Sequence, residues 1–236
     1  IIAEPANDSE TLEQYIGSKI NKGVEDIYIV SSSCTSPANF NALVNAVEKI
    51  SFDFKDIHLI DTQSLCVAQG LFVYLLLEAI ENNRSKKEIE ILIRKYSKAS
   101  FSFILSAQVS FLYGSKMKSF SDNDTNLFRN AVMKQVNELK PLFKFDSFKN
   151  SLSFLGAHQG SQQSFIELFS NFELHFDEQG RYAQCISIAY QDSDKEAKQL
   201  EKMIRDLHGT VPIDLTPMST HASIQYGRES LVLSVI

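Results

Sequence analysis

Two short β-branched segments limit the fold of this chain more than any other feature. The first is DIYIVSSS (26–33) and the second is DIHLID (56–61), and each ends in polar residues and is followed by a helical pattern. A strand, a helix and a second strand in this order form a right-handed crossover within a parallel sheet. The pattern therefore predicts an α/β fold in which the carboxyl ends of both strands lie at one edge of a sheet.

Further segments continue this alternation. Helical patterns cover 8–23, 38–50, 64–83 and 85–99, and SFILS (102–106) is another strand candidate. Past residue 140 the predicted strands are 140–146, 183–192, 211–217 and 229–236, with helices at 162–176 and 194–209. The sequence predicts a mostly parallel sheet domain over 1–135 and a smaller α/β domain over 136–236, whose spacing is hairpin-like in places.

Composition and charge argue against several classes of protein. The net charge is −6 and the pI about 5.4, so no basic field attracts nucleic acid. The longest apolar run (71–80) is only about half of the roughly 20 residues that span a bilayer. Three separated cysteines, Cys34, Cys66 and Cys185, do not form a disulfide scaffold or zinc pattern. We therefore expect a protein of a reducing compartment, the cytoplasm.

Motifs for nucleotide, metal and hydrolytic chemistry are missing from the sequence. There is no GxGxxG, GxxxxGK[ST], HExxH or GxSxG motif, and the five histidines have no metal-ligand spacing. No nucleophile is paired with a recognisable base. The sequence thus predicts a protein that is not an enzyme and has no metal or cofactor.

Hydroxyl side chains cluster where the two strands end. Ser31, Ser32 and Ser33 follow the first strand, and Thr62 and Ser64 follow the second. Ligands of open α/β sheets bind beyond the carboxyl ends of strands, where helix N-termini favour anions. The same residue types also cap helices. A carboxylate or phosphate site and simple helix capping are both open at this point.

Several segments, taken in order, resemble the DegV family. IVSSSCTSPANFNA (29–42) resembles the family's I-S-S-x-L-S-G-T loop, and IDTQSLCVAQG (60–70) resembles its V-D-S-x-x-x-S-x-G-Q-G turn. SFILSAQVSFL (102–112), ELKPLFKFD (138–146) and CISIAYQDSDKEAKQLEKMI (185–204) follow in the family's order. The similarity extends over nearly the whole chain.

The resemblance implies a Rossmann-like first domain, a smaller α/β second domain and a bound long-chain fatty acid. The acyl tail is expected in the first domain and the carboxylate near the domain junction. In bacteria such proteins present the acid to a separate fatty acid kinase subunit. Gly70 would then let its helix approach a neighbouring strand or the acyl chain, and the apolar stripe after it would line a tunnel.

Head-group residues follow from the same resemblance, with departures. The family's arginine turn corresponds to YGSKMKSF (113–120), where Lys116 would take the basic role. A lysine is not equivalent to an arginine in a bidentate contact. The family's final histidine is replaced, and His221 would substitute only in a rearranged loop. The predicted ligand-binding residues are Ser32, Ser33, Ser64, Lys116, Gln225 and Gly227.

The start of the chain allows two alignments. In the favoured one, the family's first strand and about 60 residues are not seen, and Glu4-Pro5 stands where the family has a carboxylate-facing Thr-Ser. In the other, the segment 1–15 is a worn first strand followed by a deletion.

The sequence leaves three functions open. The leading hypothesis is a non-catalytic protein that holds a long-chain fatty acid in a tunnel lined by Phe and Leu. A degenerate homologue that acts as an interaction module without carboxylate recognition is the second. A small-molecule transferase or hydrolase is the third, and it lacks an activated nucleophile.

Overall fold

The computed structural model describes residues 9–22, 24, 26–34, 37–50, 56–106, 139–179 and 183–236. Its helices are α1 Ser9–Ile20, α2 Pro37–Ile50, α3 Val67–Glu81, α4 Lys86–Ala99, α5 Ser161–Gln179, α6 Asp194–His208 and α7 Thr220–Tyr226. Its strands are β1 Ile27–Ser31, β2 Ile57–Asp61, β3 Phe101–Leu105, β4 Leu139–Asp146, β5 Ser151–Gln159, β6 Ile186–Gln191, β7 Ile213–Pro217 and β8 Ser230–Val235.

Local sequence signals explain where several helices begin. Pro37 opens α2, and its fixed φ suits a first helical position. Ser85 and Glu88 form a capping box before α4, in which each side chain bonds the other residue's backbone N–H. The predicted helices at 8–23, 38–50, 64–83, 85–99, 162–176 and 194–209 are confirmed with small shifts at their ends.

The strands form two sheets. β1 and β2 pair in parallel, from Ile27 opposite Ile57 to Ser31 opposite Asp61. The second sheet has six strands in the order β5-β4-β3-β8-β6-β7. Within it only β6 and β7 run parallel, and every other neighbouring pair is antiparallel. The predicted α/β class is confirmed, and the parallel pairing of β1 with β2 agrees with the crossover pattern.

The expectation of a mostly parallel sheet is wrong for the strand after α4. The sequence pattern places SFILS in the same sheet as the first two strands, yet β3 lies at the centre of the antiparallel sheet between β4 and β8. All five of its residues are buried. A short apolar run of this kind fits the centre of any sheet, so its pattern did not indicate its partners. The proposed domain division at 135/136 falls in 107–138, outside the described residues, and stays a prediction.

The six-stranded sheet buries apolar side chains on both faces. On one face α5 and α6 cover cluster 1, whose largest helical members are Phe165, Phe172 and Phe176. On the other face cluster 2 gathers Leu65, Ile104, Phe143, Phe145, Leu152, Ala189, Met218, Tyr226 and Val232. Cluster 3 joins α3 and α4 to the ends of the same sheet, through Ile60, Leu71, Phe72, Leu75, Leu76, Ala79, Ile89, Tyr96, Cys185 and Ile236.

A row of buried serines separates cluster 2 from cluster 3 on the shared face. Ser102, Ser234 and Ser187 lie opposite one another on β3, β8 and β6. The Oγ atoms of Ser102 and Ser234 are 2.7 Å apart, and Ser187 Oγ donates to Asp214 Oδ2 on β7 at 3.3 Å. Each of the three hydroxyls therefore has a hydrogen-bond partner, as buried polar groups normally do.

This row yields a stability prediction. Ser234→Ala leaves the Ser102 hydroxyl without its partner in a dry site, and we expect the free energy of unfolding to fall by about 1–3 kcal/mol. Ser170→Ala, at an exposed position of α5, is the control and should change it by less than about 0.5 kcal/mol. Urea unfolding measures both. Equal values for the two variants would contradict a structural role of the row.

Candidate functional site

The carboxylate of Asp61 ties the end of β1 to the end of β2. Its Oδ1 accepts from the backbone N–H of Ser33 at 3.0 Å and of Gln63 at 3.1 Å. Its Oδ2 accepts from Ser33 Oγ at 2.6 Å. Three donors on one carboxylate make a strong, charge-assisted link between the two turns.

The other hydroxyls form a chain behind this link. Ser32 is buried, and its Oγ donates to the backbone oxygen of Ser64 at 2.7 Å. Ser64 Oγ donates to Thr62 Oγ1 at 2.7 Å, and Thr62 Oγ1 donates to the Ser31 carbonyl at 3.1 Å. The structure thus brings Ser32, Ser33 and Ser64 together, and each of the three hydroxyls donates to an acceptor within the turns.

Two non-glycine residues of the β2–α3 turn have left-handed backbone conformations. Gln63 has φ 47° and Cys66 has φ 48°. Such conformations are uncommon for residues with a Cβ and persist where the surroundings hold them. Asp61 holds the first through the N–H of Gln63. No pattern in the sequence indicates this backbone geometry.

The polar residues at the start of α3 have separate roles. Gln69 Nε2 donates to the Val30 carbonyl of β1 at 3.4 Å, so this side chain connects the helix to the parallel pair. Gly70 does not serve a close approach to a strand, because a Cβ at this position would meet no atom within 4 Å. The expected approach to a strand is therefore wrong, and the expected approach to an acyl chain stays a prediction. Gly70 faces a cavity beside α3.

The remaining predicted site residues lie at the end of α7 or outside the described residues. Gly227 ends α7, with φ 83° and its N–H bonded to the Ser223 carbonyl at 2.9 Å. Gln225 belongs to α7, but its side chain lies outside the described part of the chain, as does the whole of Lys116. Tyr226, between Gln225 and Gly227, packs in cluster 2 together with Leu65 of the β2–α3 turn.

The two hydroxyl-rich turns and the end of α7 have apolar surroundings. Cys34 and Cys66 pack against cluster 2, and burial raises the pKa of the Cys66 thiol to about 11. Burial also raises the pKa of Tyr226, with further contributions from Cys66 and Cys34. The Cys66 thiol is therefore protonated at neutral pH and is a poor nucleophile. Hydroxyls beside an apolar cluster suit the binding of an amphiphile better than covalent catalysis.

One group of possible metal ligands occurs among the described residues, at the opposite ends of β1 and β2. It consists of Asp26, Asp56 and His58. The Lys86 ammonium lies 2.7 Å from Asp26 Oδ1 and 2.9 Å from Asp56 Oδ1. This ion pair lowers the pKa of Asp56. A cation is thus already supplied by the chain, and the group is an ion-pair cluster.

A search of known proteins finds a relative with similar sequence. A DegV domain-containing protein of Clostridium perfringens is 25% identical over 199 residues, which are 84% of this chain and 63% of that protein. The chain therefore spans less than two thirds of this relative's length. Among the described residues, no helix has the length and apolarity needed to cross a membrane.

Solved structures share the fold at low sequence identity. A stearic acid-binding protein of Eubacterium ventriosum has a TM-score of 0.79 at 15% identity, covering 97% of this chain and 76% of its own. The fatty acid kinase B3 protein of Streptococcus pneumoniae, loaded with linoleic acid, has a TM-score of 0.77 at 19% identity, with 97% and 75% covered. A DegV family protein of Eubacterium eligens loaded with heptadecanoic acid has a TM-score of 0.77 at 15% identity, with 97% and 77% covered.

The family match extends over almost the entire sequence. The model of the family described as "Uncharacterised protein, DegV family" matches residues 6–236. It includes both serine-containing turns, the six-stranded sheet and the end of α7. The chain belongs to the DegV family.

Proposed function

We propose that this protein binds one long-chain fatty acid without transforming it, at the junction between the β1 and β2 turns and cluster 2. The observation that carries the proposal is the contact of the hydroxyl-rich β2–α3 turn, through Leu65, with the apolar face of the six-stranded sheet. A polar edge beside an apolar surface matches a ligand with a carboxylate and a long tail. The fatty acids in the solved relatives support the same ligand class.

The acyl tail supplies most of the binding free energy in this account. Burial of a CH₂ group contributes about 0.8 kcal/mol, so a chain of roughly 16 carbons contributes on the order of 10 kcal/mol before the costs of association. We place the tail against the partly buried members of cluster 2, Phe154, Val67 and Ala222 among them. This differs from the expectation of a tail in the first domain, since cluster 2 lies on the six-stranded sheet.

The head group is the weaker part of the site. Hydrogen bonds to a charged group contribute about 1.5–3 kcal/mol. The Ser33 hydroxyl already donates to Asp61, so a bound carboxylate would compete with an aspartate for the same proton. Gln225, Gly227 and Lys116 remain proposed contacts on the other side of the head group. We therefore expect the protein to select strongly for an acyl chain and weakly for an acid.

A fatty acid kinase is the partner class that we propose. The binding protein would present the carboxylate at the junction, and the kinase would supply the nucleotide site. The free cysteines at 34, 66 and 185 fit the reducing cytoplasm in which such a kinase would meet its nucleotide. No cofactor is needed for this role.

Filling the proposed tail site should prevent binding. Ala222→Phe on α7 adds a ring beside cluster 2, and we expect the dissociation constant for oleate to rise at least about ten-fold in a calorimetric titration. Ile224→Phe, on the exposed side of the same helix, is the matched control and should bind as the unaltered protein does. Thermal unfolding checks that both variants are folded. Equal affinities for the two variants would place the tail elsewhere, and failure of the unaltered protein to bind oleate would favour an interaction module.

The negative charge of Asp61 should limit affinity for the acid. Asp61→Asn keeps a side-chain acceptor for the turn but removes the charge, whose repulsion of a carboxylate at Ser33 is on the order of 1 kcal/mol or more. We expect roughly five-fold tighter binding of oleate and unchanged binding of oleyl alcohol. Ser33→Ala should have the opposite effect on the acid alone.

Asp206→Asn provides the control for the Asp61 experiment, because it changes the net charge equally at an exposed position of α6. It should leave both affinities unchanged. The same change for acid and alcohol with Asp61→Asn would exclude a carboxylate beside Ser33.

A further inference from the structure

The helix α3 is apolar on two opposite faces. One face is buried in cluster 3. The other exposes Val73, Tyr74, Leu77 and Ile80, with 36%, 56%, 53% and 40% of their surfaces accessible. At 3.6 residues per turn these four residues and Gly70 form one continuous stripe, here called the outer stripe, opposite the buried face. A helix that faces water normally carries polar residues on that side, so the outer stripe indicates a surface that another element covers.

A groove runs beside the outer stripe. It has a volume of about 580 Å³ and lies between α3 and the strands β6 and β7. Gly70, Leu71 and Tyr74 form its helical wall, and Ile186 and Ile213 belong to the opposite wall. A side chain at position 70 would extend into open space, so the glycine keeps this end of the groove accessible.

Asp214 lines the groove and Glu78 lies near it, and neither carboxylate has a cationic partner among the described residues. Asp214 of β7 lines it and accepts only from Ser187 Oγ in the described structure. Glu78 follows Tyr74 by one helical turn on α3. Burial is the main reason why the pKa of the Cys185 thiol is raised, and the negative charges of Glu78 and Asp214 raise it further. Both carboxylates therefore lie near Cys185, which lines the groove. An apolar groove with a negative border is complementary to an apolar ligand with a positive charge.

We propose that the outer stripe and the groove dock an amphipathic helix of a partner polypeptide, with basic residues on the flank that faces Glu78 and Asp214. The stripe repeats every three or four residues and extends over about 15 Å from residue 70 to residue 80, which matches the ridge of another helix. Gly70 permits close approach of the partner backbone at one end. This docking surface goes beyond fatty acid binding and uses none of the proposed head-group residues.

Charge decides against two other occupants. A second copy docked through the same surface would add a second Glu78 and a second Asp214 to the interface, and α3 has no lysine or arginine to pair with them. An anionic membrane surface would be repelled by the same carboxylates. A basic amphipathic helix has neither conflict.

The test uses the whole protein and a fluorescent synthetic peptide of about 18 residues, long enough for five helical turns, with leucines on one face and lysines on its flanks. Binding is measured by fluorescence anisotropy. We expect Leu77→Asp to weaken binding at least about ten-fold. Ile91→Asp, at an exposed apolar position of α4, should leave it within about two-fold. Both changes are at exposed positions, and thermal unfolding confirms that the variants are folded.

A charge reversal separates recognition from general stickiness. Glu78→Lys should weaken binding of the lysine peptide. It should strengthen binding of a matched peptide in which glutamates replace the lysines. Equal losses for Leu77→Asp and Ile91→Asp would overturn the proposal, and so would indifference to the sign of the peptide charge. A concentration-dependent dimer that Leu77→Asp dissociates, seen by analytical ultracentrifugation, would assign the surface to a second copy and also overturn it.

Discussion

The link between Asp61 and the end of β1 is the interaction on which the rest of this structure depends. A single carboxylate accepts from two backbone N–H groups and one hydroxyl, and so fixes the turn after β1 against the turn after β2. The chain enters α3 directly from the second turn, so the same link sets where that helix starts. Leu65, between Asp61 and α3, is thereby held in cluster 2 on the six-stranded sheet.

From that starting point α3 connects three parts of the molecule. Its buried face packs in cluster 3, Gln69 reaches the β1 carbonyl of Val30, and Gly70 opens on the groove beside β6 and β7. The serine row explains how the sheet beneath it carries two separate apolar clusters on one face, because a line of bonded hydroxyls divides them. One cluster adjoins the hydroxyl-rich turns and the other supports α3, so the proposed ligand site and the proposed docking surface are distinct.

Much of this arrangement was predictable from sequence, for identifiable physical reasons. β-Branched runs that end in polar residues predicted the strands β1 and β2. They also predicted that Ser32, Ser33 and Ser64 lie close together, because parallel strands place their carboxyl ends at one edge of a sheet. The partners of β3 were not predictable, since an entirely apolar strand fits either kind of sheet.

The hydrogen bonds inside the site also could not be predicted from the sequence. Ser33 donates to Asp61, and Gln63 and Cys66 adopt left-handed backbone conformations. Both features depend on contacts between segments that are distant in sequence. β5 and α7 were missed as well. The strand β5 includes Gly156 and a register shift opposite Leu142, and α7 has only seven residues, so neither shows a long periodic pattern.

The most direct test of fatty acid binding is native mass spectrometry of the purified protein, before and after removal of lipid. The account predicts one adduct with the mass of a long-chain fatty acid, its loss on delipidation, and its return at one equivalent when oleate is added. A protein that is bare when purified and gains no oleate afterwards would contradict the account.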